Sequence, residues 1–274
     1  MERLLRIDRR VIFVLIFAAV LVPFLANLKL KPGAPSPSTR DVYDFIGKLP
    51  AGAAIMLAFD YGPASMPELQ PMAAAICRHA FRRDLRVICL ALSPQGFLLA
   101  DRVLAETGPQ EGAAYGEDYV NLGFKPGYTA VVLNMGQSIP GVYSQDTKGT
   151  PVERLPVMRG IRNYSDIALI VDLASSNTPA TWVAFAHERF KVPVAAGITA
   201  VMATEYYPFY QSKQLVGLLN GLKGAAEYEY LIENPDRGAM GMASQSIAHA
   251  VIIVFVILGN VGYFGARRRR RVTR

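Results

Sequence analysis

The apolar run near the carboxyl terminus constrains this chain more than any other feature. Residues Ile247–Ala266 contain no lysine, arginine, aspartate or glutamate, and five consecutive arginines follow at 267–271. At about 1.5 Å per residue, such a helix spans roughly 30 Å, the thickness of a bilayer core. An arginine block is typical of the point where a membrane helix emerges into water. The run therefore predicts a transmembrane helix, and a buried core helix is the alternative.

A second apolar run, Val11–Leu28, lies near the amino terminus and is interrupted only by Pro23 and Asn27. Four arginines within residues 1–10 precede it, so a secretory signal peptide is the main alternative. Its apolar region is long for a signal peptide, and no convincing small-x-small cleavage site follows. We therefore expect an uncleaved signal-anchor helix over residues 11–28.

The distribution of charge predicts the topology. The formal net charge is +7, with +2 in residues 1–10 and +6 in residues 265–274, which leaves −1 for all residues between them. Both basic segments, the arm 1–10 and the tail 267–274, lie at the outer ends of the apolar runs. The positive-inside rule therefore places both termini in the cytoplasm and the central domain outside it. Because that domain has no excess of positive charge, we expect no nucleic-acid partner.

The middle of the chain predicts one α/β domain between two linkers. Residues 29–37 form a proline-rich, extended linker, and residues 234–246 form an exit linker with Pro235 and two glycines. Between them, residues 38–233 suffice for one sizeable core. Predicted strands are Ala53–Phe59, Arg86–Leu92, Tyr119–Leu122, Ile167–Val171 and Val192–Ala196. Predicted helices are Ser38–Lys48, Ser65–Arg83, Gly96–Thr107, Thr178–Phe190 and Ser212–Ile232. Their alternation indicates a mainly parallel sheet flanked by helices in one extracytoplasmic domain, with two transmembrane helices.

Familiar catalytic and metal-binding motifs are missing from the sequence. It contains no Gly-x-Ser-x-Gly elbow, phosphate loop, dinucleotide fingerprint, His-Glu-x-x-His pair or Cys-x-x-Cys pair. The histidines are His79, His187 and His249, and the last lies in an apolar run. The two cysteines, Cys77 and Cys89, fall in apolar elements, so we expect buried free thiols rather than a disulfide. The sequence indicates neither a cofactor nor a metal site.

The candidate binding residues follow the carboxyl ends of the predicted strands. Ligands of open α/β sheets bind outside those ends, where helix amino termini also converge. The candidates are Asp60, Tyr61, Ser65, Ser93, Asp172, Ser175, Ser176, Asn177, Thr178 and Thr199. If Asp60 and Asp172 share one crevice, we expect their carboxylates within about 10–12 Å, close enough for repulsion to raise one pKa. The alternative is that Ser65 and Thr178 only cap helices and the aspartates only stabilise loops.

Small residues recur in two places. Gly259, Gly262 and Gly265 recur every third residue in the carboxyl-terminal run, beside Asn260, and suggest close packing against the first apolar helix or another subunit. The general enrichment of glycine in membrane helices is the alternative. Gly217, Gly221 and Ala225 would form a similar stripe within the predicted helix 212–232.

An aromatic cluster at residues 206–210 also stands out. It suggests loop packing, a pocket lid or a membrane contact.

Together, these features predict an integral membrane protein with a binding or scaffolding role. Its extracytoplasmic domain would hold a ligand or partner protein at the membrane surface. The expected partners are the lipid bilayer and either another membrane protein or a second copy of the chain. The alternative function is that of a membrane-tethered hydrolase using the Asp60/Asp172 strand ends.

Overall fold

The computed structural model describes residues 8–272, and the surroundings of side chains as far as Phe264. Its contacts divide the chain into two compact units. One unit is the domain formed by residues 31–238. The other combines the amino-terminal segment up to Leu30 with the segment that begins at Ala239.

A six-stranded sheet forms the centre of the domain, and every strand pairing in it is parallel. The strands are β1 (Ala54–Asp60), β2 (Arg86–Ala91), β3 (Tyr119–Phe124), β4 (Leu169–Ala174), β5 (Val194–Ile198) and β6 (Leu218–Asn220). Their spatial order is β3-β2-β1-β4-β5-β6, which is the order of the doubly wound dinucleotide-binding fold. The predicted α/β class with a parallel sheet is therefore confirmed.

Helices cover both faces of the sheet, which explains why its strands read as continuous apolar runs. The helices of the domain are α2 (Pro37–Lys48), α3 (Met66–Arg82), α4 (Gly96–Gln110), α5 (Tyr128–Met135), α6 (Ile139–Val142), α7 (Thr178–Trp182), α8 (Glu188–Phe190), α9 (Ala203–Gln211) and α10 (Gly221–Leu231). A first core joins α2, α3, α4 and α10 to one face through β1 residues such as Ile55 and Leu57. A second core joins α5, α6, α7 and α9 to the other face through Met56 and Ala58.

The outer strand β6 is covered by the first helix of the domain. Gly217 lies immediately before β6, and a Cβ atom there would lie 2.7 Å from the carbonyl oxygen of Ser38 and 2.8 Å from the amide nitrogen of Val42. Only glycine permits this close approach of α2 to the sheet. The Ser36 hydroxyl, just before α2, also donates a hydrogen bond of 2.6 Å to Glu227 on α10.

Two further helices lie at the ends of the described chain, α1 (Arg9–Leu25) and α11 (Arg237–Val272). Among the described residues, one helix segment, Arg237–Phe264 of α11, is long and apolar enough to cross a membrane, and the mean hydropathy of its most apolar 18-residue stretch is 2.2. Helix α1 contains 17 residues and carries Pro23. The two-span arrangement expected from the sequence therefore stays a prediction.

Each terminal helix has one stripe of lower exposure. On α1 it comprises Ile12, Ile16, Ala19 and Pro23, and on α11 it comprises Val251, Phe255, Leu258 and Gly262. Of the predicted packing residues, Gly262 lies on the stripe, whereas Gly259 and Asn260 are exposed and a Cβ atom on Gly259 would meet no neighbour. The surroundings of Gly265 lie outside the described side chains.

The structure corrects the predicted helix 212–232. That segment contains the short strand β6 followed directly by α10, whose first residue, Gly221, adopts a positive φ of 55°. The stripe of Gly217, Gly221 and Ala225 is therefore not a helix face.

The aromatic residues 206–210 lie within α9, where Tyr206 is fully buried.

The predicted exit linker is also mostly helical. Residues 234–246 were expected to form a linker, and α11 begins within them at Arg237. The buried Glu229 explains this start, because its two carboxylate oxygens accept hydrogen bonds of 2.8 Å from the backbone amides of Asp236 and Gly238. A carboxylate at this position satisfies amides at the helix amino terminus that have no partner within the helix.

Candidate functional site

Two aspartates lie side by side at the point where the strand order reverses. Asp60 is the last residue of β1, and Asp172 lies in β4, paired with Ala58. With strands about 4.8 Å apart and a rise of about 3.3 Å per residue, their Cα atoms are separated by roughly 8 Å. Strand alternation directs both side chains to the same face of the sheet. The structure thus brings the two predicted aspartates together at the crevice where open α/β sheets bind ligands.

Asp60 is held in place by the strand on its other side. One of its carboxylate oxygens, Oδ1, accepts a hydrogen bond of 2.5 Å from the backbone amide of Leu92, just after β2. The residue is only 1% exposed. Burial raises the pKa of Asp60 to about 6, although the Leu92 amide and neighbouring Asp172 act to lower it. Asp60 therefore takes up a proton near neutral pH rather than in strong acid.

Asp172 is more deeply buried than Asp60, and fewer neighbouring groups lower its pKa. Its exposure is 0%, and burial followed by the charge of Asp60 raises its pKa well above the usual range. Thr178 at the start of α7 is close enough to lower that pKa in part. No hydrogen bond of good geometry reaches either carboxylate oxygen from any described residue. The close, buried pair therefore favours a state in which at least one carboxyl group is protonated.

Three aromatic residues bring further polar atoms to this face. Trp182, Tyr143 and Tyr206 are each 0% exposed, and no described group makes a hydrogen bond of good geometry with the Trp182 Nε1 or with either hydroxyl. Trp182 is close enough to Asp60 to lower its pKa. Burial is the main cause that raises the pKa values of Tyr143 and Tyr206; the Asp60 charge adds to the first, and the charges of Glu205 and Asp172 add to the second. We call these five residues, Asp60, Asp172, Tyr143, Trp182 and Tyr206, the aspartate site.

The local structure around Trp182 is unusual. It ends α7, and the helix continues through a π-helical turn, Val183–His187, into α8. Such turns insert an extra residue into a helix and are frequent at functional sites. Tyr143 follows α6, and Tyr206 lies in α9. Three separate connections between strands therefore supply the aromatic wall of the aspartate site.

The other predicted binding residues surround the same sheet edge at different depths. Ser175, Ser176 and Asn177 form an exposed loop after β4, and Ser65 and Ser93 are half-buried in loops after β1 and β2. Thr178 and Thr199 are buried. Tyr61 is also buried, but strand alternation turns it to the opposite face, where its ring stacks near Phe59.

The predicted helix caps are not formed as expected. The side chains of Ser65 and Asn177 make no capping hydrogen bond, and Thr178 lies one residue inside α7. Glu68, in the first turn of α3, accepts a hydrogen bond of 2.9 Å from the backbone amide of Ala200, after β5. Likewise, α2 begins at Pro37 after Ser36 rather than at Ser38.

The residues present do not resemble two common cofactor sites. Among the described residues, no group of three or more His, Cys, Asp or Glu side chains is arranged to hold a metal ion. The β1–α3 connection, which carries three glycines in the dinucleotide fingerprint, contains only Gly62. The strand order is therefore shared with dinucleotide-binding proteins, but the phosphate-binding loop is not.

Comparisons with protein-family models, with curated proteins and with solved structures found no match. The function must therefore be inferred from the residues of the chain itself.

Sequence reasoning missed the aromatic part of the aspartate site. Tyr143, Trp182 and Tyr206 lie on three segments, and no spacing in the sequence connects them. One available signal was that Trp182 is the single tryptophan of the chain and follows the Asp172 strand in a segment with the pattern of a helix. Without the fold, that position is equally typical of an ordinary core residue.

Proposed function

We propose that this protein is a membrane-anchored binding protein whose extracytoplasmic α/β domain holds a small polar ligand at the aspartate site. The observation that carries the proposal is the cluster of buried polar atoms without hydrogen-bond partners at the strand-order reversal. Each such atom costs about 1–3 kcal/mol of stability, so a fold rarely keeps several together without a use. A ligand that pairs with them recovers that cost.

The membrane part of the proposal rests on the terminal helices. Phe13, Phe17, Ile253 and Phe264 are examples of their large apolar side chains, and each is more than half exposed. Apolar surface of this extent is typical of contact with lipid. We propose that α1 and α11 both span the bilayer, with the basic segments 1–10 and 267–274 in the cytoplasm. The domain would then face the extracytoplasmic space.

Native mass spectrometry of the full-length protein, purified in detergent, tests the proposed binding function. We expect a small-molecule adduct on the wild-type protein that is absent from Asp172→Asn. Asp44→Asn, on the partly exposed side of α2, is the matched control and should keep the adduct. Adducts of the same mass and abundance on all three proteins would place the ligand elsewhere. Spectra without an adduct, combined with no stabilisation by a library of polar metabolites, would contradict the proposal.

A membrane-tethered hydrolase is the second candidate. The specific observation in its favour is the pair of buried carboxyl groups, of which Asp60 has a pKa of about 6 and Asp172 has one raised well above the usual range. Such a pair can supply one general base and one general acid near neutral pH. Hydrolysis of ester, phosphate or glycoside substrates that is lost in both Asp60→Asn and Asp172→Asn would favour this candidate.

A further inference from the structure

The hydrogen-bonding groups of the aspartate site define the chemistry that fits it, provided that the proposed binding function holds. Three oxygens, Asp60 Oδ2 and both Oδ atoms of Asp172, accept no hydrogen bond of good geometry from a described residue, although Thr178 and Trp182 lie close to them. Carboxylate oxygens accept hydrogen bonds, so the complementary group must donate several at once. A primary ammonium group carries three N–H donors and no acceptor, which matches this set of oxygens.

The charge of the site points in the same direction. The groups that act on Asp172 are Asp60 and Thr178, with no lysine, arginine or histidine among them. Lys125 lies 6.0 Å from the ring centroid of Tyr143, but no ion pair joins it to either aspartate within the described structure. A buried carboxylate without a cation attracts one strongly, whereas an anionic ligand would place a second like charge beside it.

The surrounding residues favour an organic cation over a hydrated ion. Trp182, Tyr143 and Tyr206 supply aromatic rings, and ring faces stabilise a desolvated ammonium group by cation–π attraction. A metal ion would need more oxygen or nitrogen ligands, and no group of three suitable acidic, histidine or cysteine side chains occurs among the described residues. Because both aspartates are at most 1% exposed, the bound group must be compact.

We propose that the aspartate site binds a compact organic cation through its primary ammonium group, which donates hydrogen bonds to the carboxyl oxygens of Asp60 and Asp172 while the aromatic residues exclude water. A quaternary ammonium ion keeps the charge but has no N–H donor. It should therefore bind more weakly than a primary amine of similar size.

The single tryptophan makes the test direct, because Trp182 belongs to the site. The full-length protein in detergent at pH 8 is titrated with four probes of similar size: n-propylammonium, tetramethylammonium, 1-propanol and propionate. Trp182 fluorescence and the thermal unfolding midpoint are recorded for each. We expect a saturable response to n-propylammonium at a concentration about tenfold lower than for any other probe, the value of one charged hydrogen bond. Asp172→Asn should lose the response, and Asp44→Asn should keep it.

The outcomes separate this inference from the proposed function. A saturable, Asp172-dependent response to 1-propanol or propionate, with none to n-propylammonium, would overturn the cation but leave a binding site. An equal response of wild-type protein and Asp172→Asn to n-propylammonium would also overturn it. No change in fluorescence or unfolding midpoint with any probe, together with no adduct in native mass spectrometry, would overturn both proposals.

Discussion

The ionisation of Asp60 should make the stability of the domain fall as pH rises. Burial raises the pKa of this carboxyl group from 3.8 to about 6. A raised acid pKa means that the folded state binds the proton more tightly than the unfolded state does. The corresponding stability is fully present below pH 3.8 and is lost as pH rises through about 6. The shift of about two pKa units corresponds to about 3 kcal/mol of unfolding free energy.

Asp60→Asn isolates this effect, because asparagine cannot ionise and its Oδ1 can still accept the hydrogen bond from the Leu92 amide. The variant should match the wild-type protein near pH 4 and become more stable by about 3 kcal/mol above pH 7. Removing the Asp60 charge also lowers the pKa of Asp172, which acts in the same direction.

The measurement is urea unfolding of the full-length protein in detergent between pH 4 and 8, followed by Trp182 fluorescence. Asp44→Asn serves as the control and should show no rise in stability of this size. The reasoning fails if Asp60→Asn is less stable than the wild-type protein at every pH. It also fails if the difference between the two proteins does not change with pH.

Three further predictions address topology and packing. When cysteines are introduced at the exposed Gln211 and at Thr273, an impermeant reagent added to intact cells should label only the cysteine at Gln211; labelling at Thr273 alone would contradict the predicted topology. Gly262→Leu should weaken cross-linking between α1 and α11, whereas Gly259→Leu should not, because only Gly262 lies on the less exposed stripe; equal effects would show that the stripe is not the interface. Gly96→Ala should lower the unfolding free energy by about 1–3 kcal/mol, since its Cβ would clash with the Phe59 carbonyl oxygen; an unchanged urea midpoint would contradict that packing.

The sequence predicted the elements whose pattern is long and uniform. The apolar runs that became β1 and β2 identify strands buried on both faces, and the Asp60 and Asp172 positions follow from the parallel arrangement. Asp172 proved to lie inside β4 rather than after it, because the strand extends to Ala174. The continuation of β4 past the polar Asp172 is defined by pairing with β1 and β5, which the sequence pattern does not reveal.

The failures came from features that depend on tertiary contacts. Strand β6 has three residues, too few for any periodicity, and it is defined only by its pairing with β5. The start of α11 at Arg237 depends on Glu229, which precedes it by eight residues and caps it from another helix. The aromatic wall of the aspartate site likewise exists only after three connections have packed on one face.

The contact of α2 with β6 also determines when this domain can finish folding. The first helix of the domain rests on Gly217, close to the last strand, and Ser36 bonds to Glu227 near the end of the final domain helix. During synthesis, β5 keeps an unpaired edge and α2 lacks its partners β6 and α10 until residues 218–231 have been made. Such an unpaired strand is prone to aggregation, so the emerging chain should depend on chaperones until β6 is available to pair with it.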